Sequence, residues 1–170
     1  RFNNCSDFHG RIDANATKFA GTVEQLRAAA ETAGGSSVLL SAGDSIGASL
    51  FASATQADVP TLDVLDALGL DASAVGNHEF DQGYADLTDR VIPQIGFDYL
   101  GANVYTTGTD DPALDEYALV DVDGVTVGVI GVVTQETPTI VSPGGVATLD
   151  FGDAGEAENG GAGEPRESRL

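Results

Sequence analysis

The sequence has one Cys, no Met, no Trp, one Lys and only two His. A single thiol leaves nothing from which to build an internal disulfide framework. Basic residues are scarce too, 7 Lys and Arg against 27 Asp and Glu, for a formal net charge of -20. So acidic a chain repels the phosphate backbone of DNA and RNA, and no nucleic acid partner is expected. Apolar runs are short, none near the roughly 20 residues that cross a bilayer, so no membrane span is expected. Position 1 is Arg rather than Met and is not expected to be the native start, so the lack of a leader says nothing of targeting. What is present suffices for one domain: 170 residues, 42% of them hydrophobic, bury roughly two thirds of their unfolded surface in a single core.

The apolar pattern alternates between short runs and helical periods. Residues 1–7 read as a strand, and residues 15–32 as a helix with Phe19, Val23, Leu26 and Ala30 on one face, ended by Gly34-Gly35. Val38-Leu39-Leu40-Ser41-Ala42, bounded by Gly, suits a buried strand. A second helix is expected over residues 60–68, with Pro60 in its first turn and Leu62, Leu65 and Leu68 aligned. Strands are expected at 72–75 and 98–102, with a short helix at 84–91 between them. Residues 117–122 and 125–133 flank Asp123-Gly124, a two-residue turn that predicts an antiparallel hairpin. Together these elements predict an α/β layered domain with mixed sheets over residues 1–151. Residues 152–170 hold five Gly and, apart from Ala, no apolar residue before Leu170, and are expected to be a disordered tail or an aberrant C-terminal end.

Three polar clusters stand where predicted strands end: Asp7-Phe8-His9-Gly10, Gly43-Asp44, and Gly76-Asn77-His78-Glu79-Phe80-Asp81. The carboxyl ends of strands form the ligand-binding rim of an open α/β sheet, so the three can converge. The period of an extended chain would put Asp7 and His9 on one side and Phe8 in the core, presenting a carboxylate and an imidazole together. Each cluster alone also fits a plain turn or cap. Their order and placement at strand ends give them weight.

The ordered set, Asp-x-His, then Gly-Asp, then Gly-Asn-His-Glu, resembles the signature of the calcineurin-like metallophosphoesterases. The longer matches through Arg11, from Ala42 and as far as Asp81 are similar to the branch of 5'-nucleotidases and UDP-sugar hydrolases. The resemblance runs from about Phe2 through Glu136-Thr137-Pro138 to about Phe151. It implies a layered metallophosphoesterase-type α/β sandwich and two divalent ions, Mn, Zn, Co or Fe. Asp7 and His9 would bind the first ion, Asp44 would bridge both, and Asn77 would bind the second. Two ions about 3.5 to 4 Å apart clamp phosphate oxygens and activate a water for attack on phosphorus. His78 would stabilise the developing charge or protonate the leaving oxygen, with Asp81 orienting its imidazole. The implied substrate is a nucleotide or other phosphate ester, and the implied location extracellular, periplasmic or at the cell surface. Sibling activities on cyclic nucleotides or nucleotide sugars stay open.

Some positions depart from the pattern or lie outside it. Ser6 stands where the family often has Asn or Thr, and Ser45 where it often has Asn. Glu79 has no ligand role in the family, so an anchoring or surface role is expected. His78 could also cap the following helix, and Cys5 reads as a small buried hydrophobe. The family draws further ligands from later strands, one His and then Gly-His-x-His or Gly-His-x-Gln, yet no His follows residue 78. The second ion would have only Asp44 and Asn77, short of five or six donors. The chain is therefore expected to be the N-terminal half of a catalytic domain, inactive by itself and lacking a nucleoside-binding domain.

Overall fold

Short strands separated by amphipathic helices pair in parallel, because each return crosses the sheet through a helix. The computed structural model, which describes residues 1–161, has this arrangement. Strands β1 (Phe2–Cys5), β2 (Val38–Ser41), β3 (Ala72–Ala74) and β4 (Asp98–Leu100) pair in that order, all parallel. Helix α1 (Ala14–Thr32) joins the first two, and α2 (Phe51–Ala54) with α3 (Val59–Ala67) joins the next. Between β3 and β4 run α4 (Tyr84–Asp86), a π turn (Leu87–Val91) and a 3₁₀ turn (Ile92–Gln94). Because strand order follows chain order, the ends of β1, β2 and β3 lie side by side.

Alternation along each strand decides which layer a residue joins. Leu39 and Tyr99 belong to the main core with Val23 of α1 and Leu62 and Leu65 of α3. Their neighbours Leu40 and Leu100 fall in a second cluster with Ala72, Ala118 and Val129. Sequence neighbours on a strand point oppositely, so these two clusters lie on opposite faces of one sheet. Leu65 is completely buried. Leu65→Ala is expected to cost roughly 2–5 kcal/mol through lost burial and an unfilled cavity, read from urea unfolding.

Helix ends follow local chemistry. Asp13 caps α1, its carboxylate accepting the Asn15 N–H at 2.9 Å, which starts the helix one residue earlier than its apolar period. At the other end Gly34, at φ +77°, turns the chain, and Gly35 N–H returns to the Ala30 carbonyl.

The expected hairpin forms as β6 (Tyr117–Val122) and β7 (Val125–Ile130), with Asp123 and Gly124 at φ +54° and +78°. Its Ala118 and Val129 lie against the parallel sheet as part of the second cluster. Two three-residue strands without a sequence signal, β5 (Val104–Thr106) and β8 (Leu149–Phe151), form another antiparallel pair. The sheets are thus mixed across the domain, but parallel and antiparallel pairing occupy separate sheets. Helix α5 (Thr137–Ile140) precedes β8. At the start of the stretch expected to be a tail from residue 152 lies α6 (Ala154–Gly161). Asp153 accepts the Glu156 N–H at 3.1 Å, a cap that can form three residues ahead of an acid. The part of that expectation covering 162–170 lies outside the described residues.

Candidate metal centre

The loop after β1 is held by the loop after β2. Asp7 N–H donates to the Gly43 carbonyl (3.2 Å), His9 N–H to Asp44 (3.0 Å) and Gly10 N–H to Ser45 (3.2 Å). These bonds keep Asp7 and His9 at φ +55° and +46°, a left-handed region that side-chain-bearing residues rarely enter. The extended geometry expected for Asp7 and His9 is therefore wrong, since β1 ends at Cys5. Its consequence is present all the same: Phe8 is buried, and His9 Nε2 lies 3.7 Å from Asp7 Oδ1.

Asp44 reaches the same place by a close approach of backbones. Gly43, at φ +102°, and Gly76 pack together so tightly that a Cβ on Gly43 would sit 2.6 Å from the Gly76 nitrogen. A Cβ on Gly76 would sit 2.2 Å from Asp44 Oδ1. Both positions exclude any side chain. Asp44, itself at φ +52°, accepts the His78 N–H at 3.0 Å. Asp7, His9 and Asp44 then bring one ligand atom each within 4.8 Å of one another.

Two carboxylate oxygens and an imidazole nitrogen at this spacing form a donor set for a divalent ion of borderline hardness. His9 Nδ1 lies 2.9 Å from the Gly47 carbonyl, which can only accept, so Nδ1 carries the proton and Nε2 offers a lone pair. The residues present therefore fit a metal. Asn77 stands between Gly76, whose backbone packs against Asp44, and His78, whose N–H Asp44 accepts.

His78 opens a 3₁₀ turn (His78–Phe80) rather than capping a helix. Its Nδ1 lies 2.8 Å from Asp81 Oδ2, which leaves Nε2 free. Its ring meets that of His9 edge to face, with centroids 4.9 Å apart. Burial by itself opposes the imidazolium. The Asp81 hydrogen bond and charge, joined by Asp44 and Glu79, outweigh it and raise the His78 pKa above 6.5. A raised value in the fold means protonation favours folding. That contribution is complete below about 6.5 and disappears as pH climbs through the raised value. Asp81→Asn is expected to lower the His78 midpoint, which NMR titration of the imidazole measures; an unchanged midpoint would show that Asp81 does not set it.

Known proteins carry the same arrangement of chain. No protein-family model matches the chain. It is 34% identical to a 5'-nucleotidase of Vibrio cholerae over 89% of its own length, spanning 28% of that protein. It is 36% identical to Endonuclease YhcR of Bacillus subtilis over 72% of its length, spanning 11% of that protein. The fold superposes on the calcineurin-like phosphoesterase YfkN of Bacillus subtilis with TM-score 0.74 and 23% identity, covering 94% of this chain and 55% of the other. The chain belongs to the 5'-nucleotidase branch of the calcineurin-like phosphoesterases. That branch is one of hydrolases, and the chain spans well under two thirds of these relatives.

Within this branch fold, Glu79 is an anchor and not a surface residue. It is 3% exposed, and its carboxylate accepts four backbone N–H groups: Asp44 (3.0 Å), Ser45 (2.8 Å), Ile46 (3.3 Å) and Gly76 (2.6 Å). The Tyr99 hydroxyl donates to it at 3.3 Å. Burial pushes the Glu79 pKa up, against the pull of the amides. One side chain thus fastens the turn after β2 to the turn after β3 and to β4. Asn103 is a second buried staple, donating to the Val133 (2.7 Å) and Gly152 (2.9 Å) carbonyls and accepting the Val133 N–H (2.9 Å). Neither its burial nor its partners had a sequence signal. Cys5 is half-buried, and burial raises its thiol pKa.

Proposed function

We propose that the full-length protein hydrolyses phosphate esters of nucleotides in a metal-dependent reaction. Asp7 and His9 would hold a first ion, Asp44 would bridge to a second, and Asn77 would hold the second. The observation that carries the reading is the edge contact between His9 and His78, which sets a proton carrier against a metal-binding imidazole. Divalent ions bound there supply positive charge to phosphate oxygens and acidify water. Water attacking phosphorus gives up a proton to solvent as the ester P–O bond breaks, and the departing oxygen takes the Nε2 proton of His78. Asp81 keeps Nε2 outward by holding Nδ1.

Both histidines are then in use, and the second ion draws on Asp44 and Asn77 alone. We expect residues 1–170 by themselves to bind one ion and to turn over poorly, with the remaining donors in the rest of the full-length protein. An exported site of action, extracellular, periplasmic or at the cell surface, belongs to the same proposal. No helix among the described residues is long and apolar enough to cross a membrane.

Rates of the full-length protein on AMP, a cyclic nucleotide, UDP-glucose and a single-stranded oligonucleotide test the reading. AMP should be hydrolysed fastest, and the rate should vanish on chelation and return with Mn²⁺. A faster rate on a cyclic nucleotide or UDP-glucose would assign the sibling activity. Full activity after chelation would overturn metal dependence.

A further inference from the structure

We propose that Asp58 is a positioning residue for the metal-binding imidazole, acting through Gly47; this rests on the metal-centre reading above. His9 is oriented by the Gly47 carbonyl at 2.9 Å. Gly47 in turn is fixed by Asp58, whose Oδ2 accepts the Gly47 N–H at 3.2 Å. Gly47 is also wedged against the proton donor. At its φ of +73°, a Cβ would lie 2.6 Å from the His78 carbonyl and 2.7 Å from Asp81 Oδ2. A shift of Gly47 would therefore move both halves of the site.

Asp58 has an unusual setting for its type. It occupies the cap position of α3, where an Asp ordinarily accepts an N–H of the first turn, yet its side chain makes no such bond. The carboxylate is turned to Gly47 and to the Ser53 hydroxyl, 2.6 Å from Oδ1. The backbone is bent to allow this: Ala57 and Asp58 are consecutive left-handed residues at φ +53° and +61°. Such conformations persist only where surroundings hold them, and they concentrate at functional sites. Here the support is explicit. Ser53 Oγ meets Thr61 Oγ1 at 2.6 Å, both residues being fully buried, and Asp58 N–H donates to the Ser53 carbonyl at 3.1 Å. Arg90 donates to the Ala57 carbonyl at 2.9 Å while its guanidinium is forked onto Asp86. The sequence Thr61, Ser53, Asp58, Gly47, His9 is a buttress from buried hydroxyls to the metal-binding ring.

The test uses the chain labelled with ¹⁵N-histidine, comparing the parent with Asp58→Gly and Asp58→Asn. Glycine suits φ +61° and relieves the backbone while removing the carboxylate, so the variant folds without the anchor. In the metal-free parent, His9 is expected wholly as the Nδ1–H tautomer. In Asp58→Gly it should become a mixture of tautomers, and Mn²⁺ should bind about 10-fold more weakly, the lower end of the loss for an outer-shell partner. Asp58→Asn, which keeps an acceptor for Gly47, should stay within about 3-fold of the parent. Parent-like tautomer and Mn²⁺ affinity in Asp58→Gly would overturn the proposal. Absence of Mn²⁺ binding in the parent would instead defeat the metal-centre reading, and the tautomer comparison would still decide the role of Asp58.

Discussion

Replacing His78 with alanine in the full-length protein is expected to lower turnover on AMP about 10²- to 10⁴-fold, the usual range for a lost general acid. Metal content should not change, because His78 Nδ1 is engaged by Asp81 and the Asp7, His9 and Asp44 cluster does not include it. The effect should depend on the leaving group. AMP releases a basic alkoxide that needs a proton, whereas p-nitrophenyl phosphate releases a stable phenolate that hardly does. The loss on p-nitrophenyl phosphate should therefore be much smaller. Equal losses on the two substrates would show that His78 acts elsewhere than at the leaving oxygen. The raised pKa of His78 fits a donor that stays protonated above 6.5.

The second large effect is expected at Glu79, which touches no reacting atom. Glutamine keeps the shape but replaces one acceptor oxygen with an N–H₂ that faces backbone N–H donors. Two of the four amides on the carboxylate lose their acceptor whichever way the amide turns. Each buried donor left without a partner costs about 1–3 kcal/mol. Release of the burial penalty on the charge, the same burial that raises the Glu79 pKa, offsets part of this. A net loss of several kcal/mol is expected in urea unfolding, with the Asp44 turn losing protection from hydrogen exchange. Unfolding within about 0.5 kcal/mol of the parent, the scatter of an inconsequential surface change, would show that the anchor is dispensable.

How much of this was legible varies by residue, and the reasons are physical. The helix faces of α1 and α3 and the hairpin at Asp123-Gly124 rest on period and turn chemistry, which are local, and they form as read. The ends of β1, β2 and β3 meet because parallel strands in chain order must place them together. Asp7 and His9 were grouped through an extended geometry they do not have. Their left-handed φ values are imposed by bonds to Gly43 and Asp44, more than 30 residues away, and no local pattern encodes that. The β5 and β8 pair has the same difficulty, three residues on each side brought together across the domain. The sequence leaves Glu79 free of a ligand role, with an anchoring or a surface place equally open. Its importance emerges from four amides that converge on one carboxylate after folding. Asp58 carried no signal beyond an acid ahead of Pro60, which any helix start would show.

The central claim is that Asp7, His9 and Asp44 form a metal site beside His78. Anomalous diffraction at the manganese edge, from crystals of the chain grown with Mn²⁺, addresses it directly. The predicted result is a peak in contact with the Asp7 and Asp44 carboxylates and with His9 Nε2. A map with no peak there, or with manganese bound only elsewhere, would contradict the account.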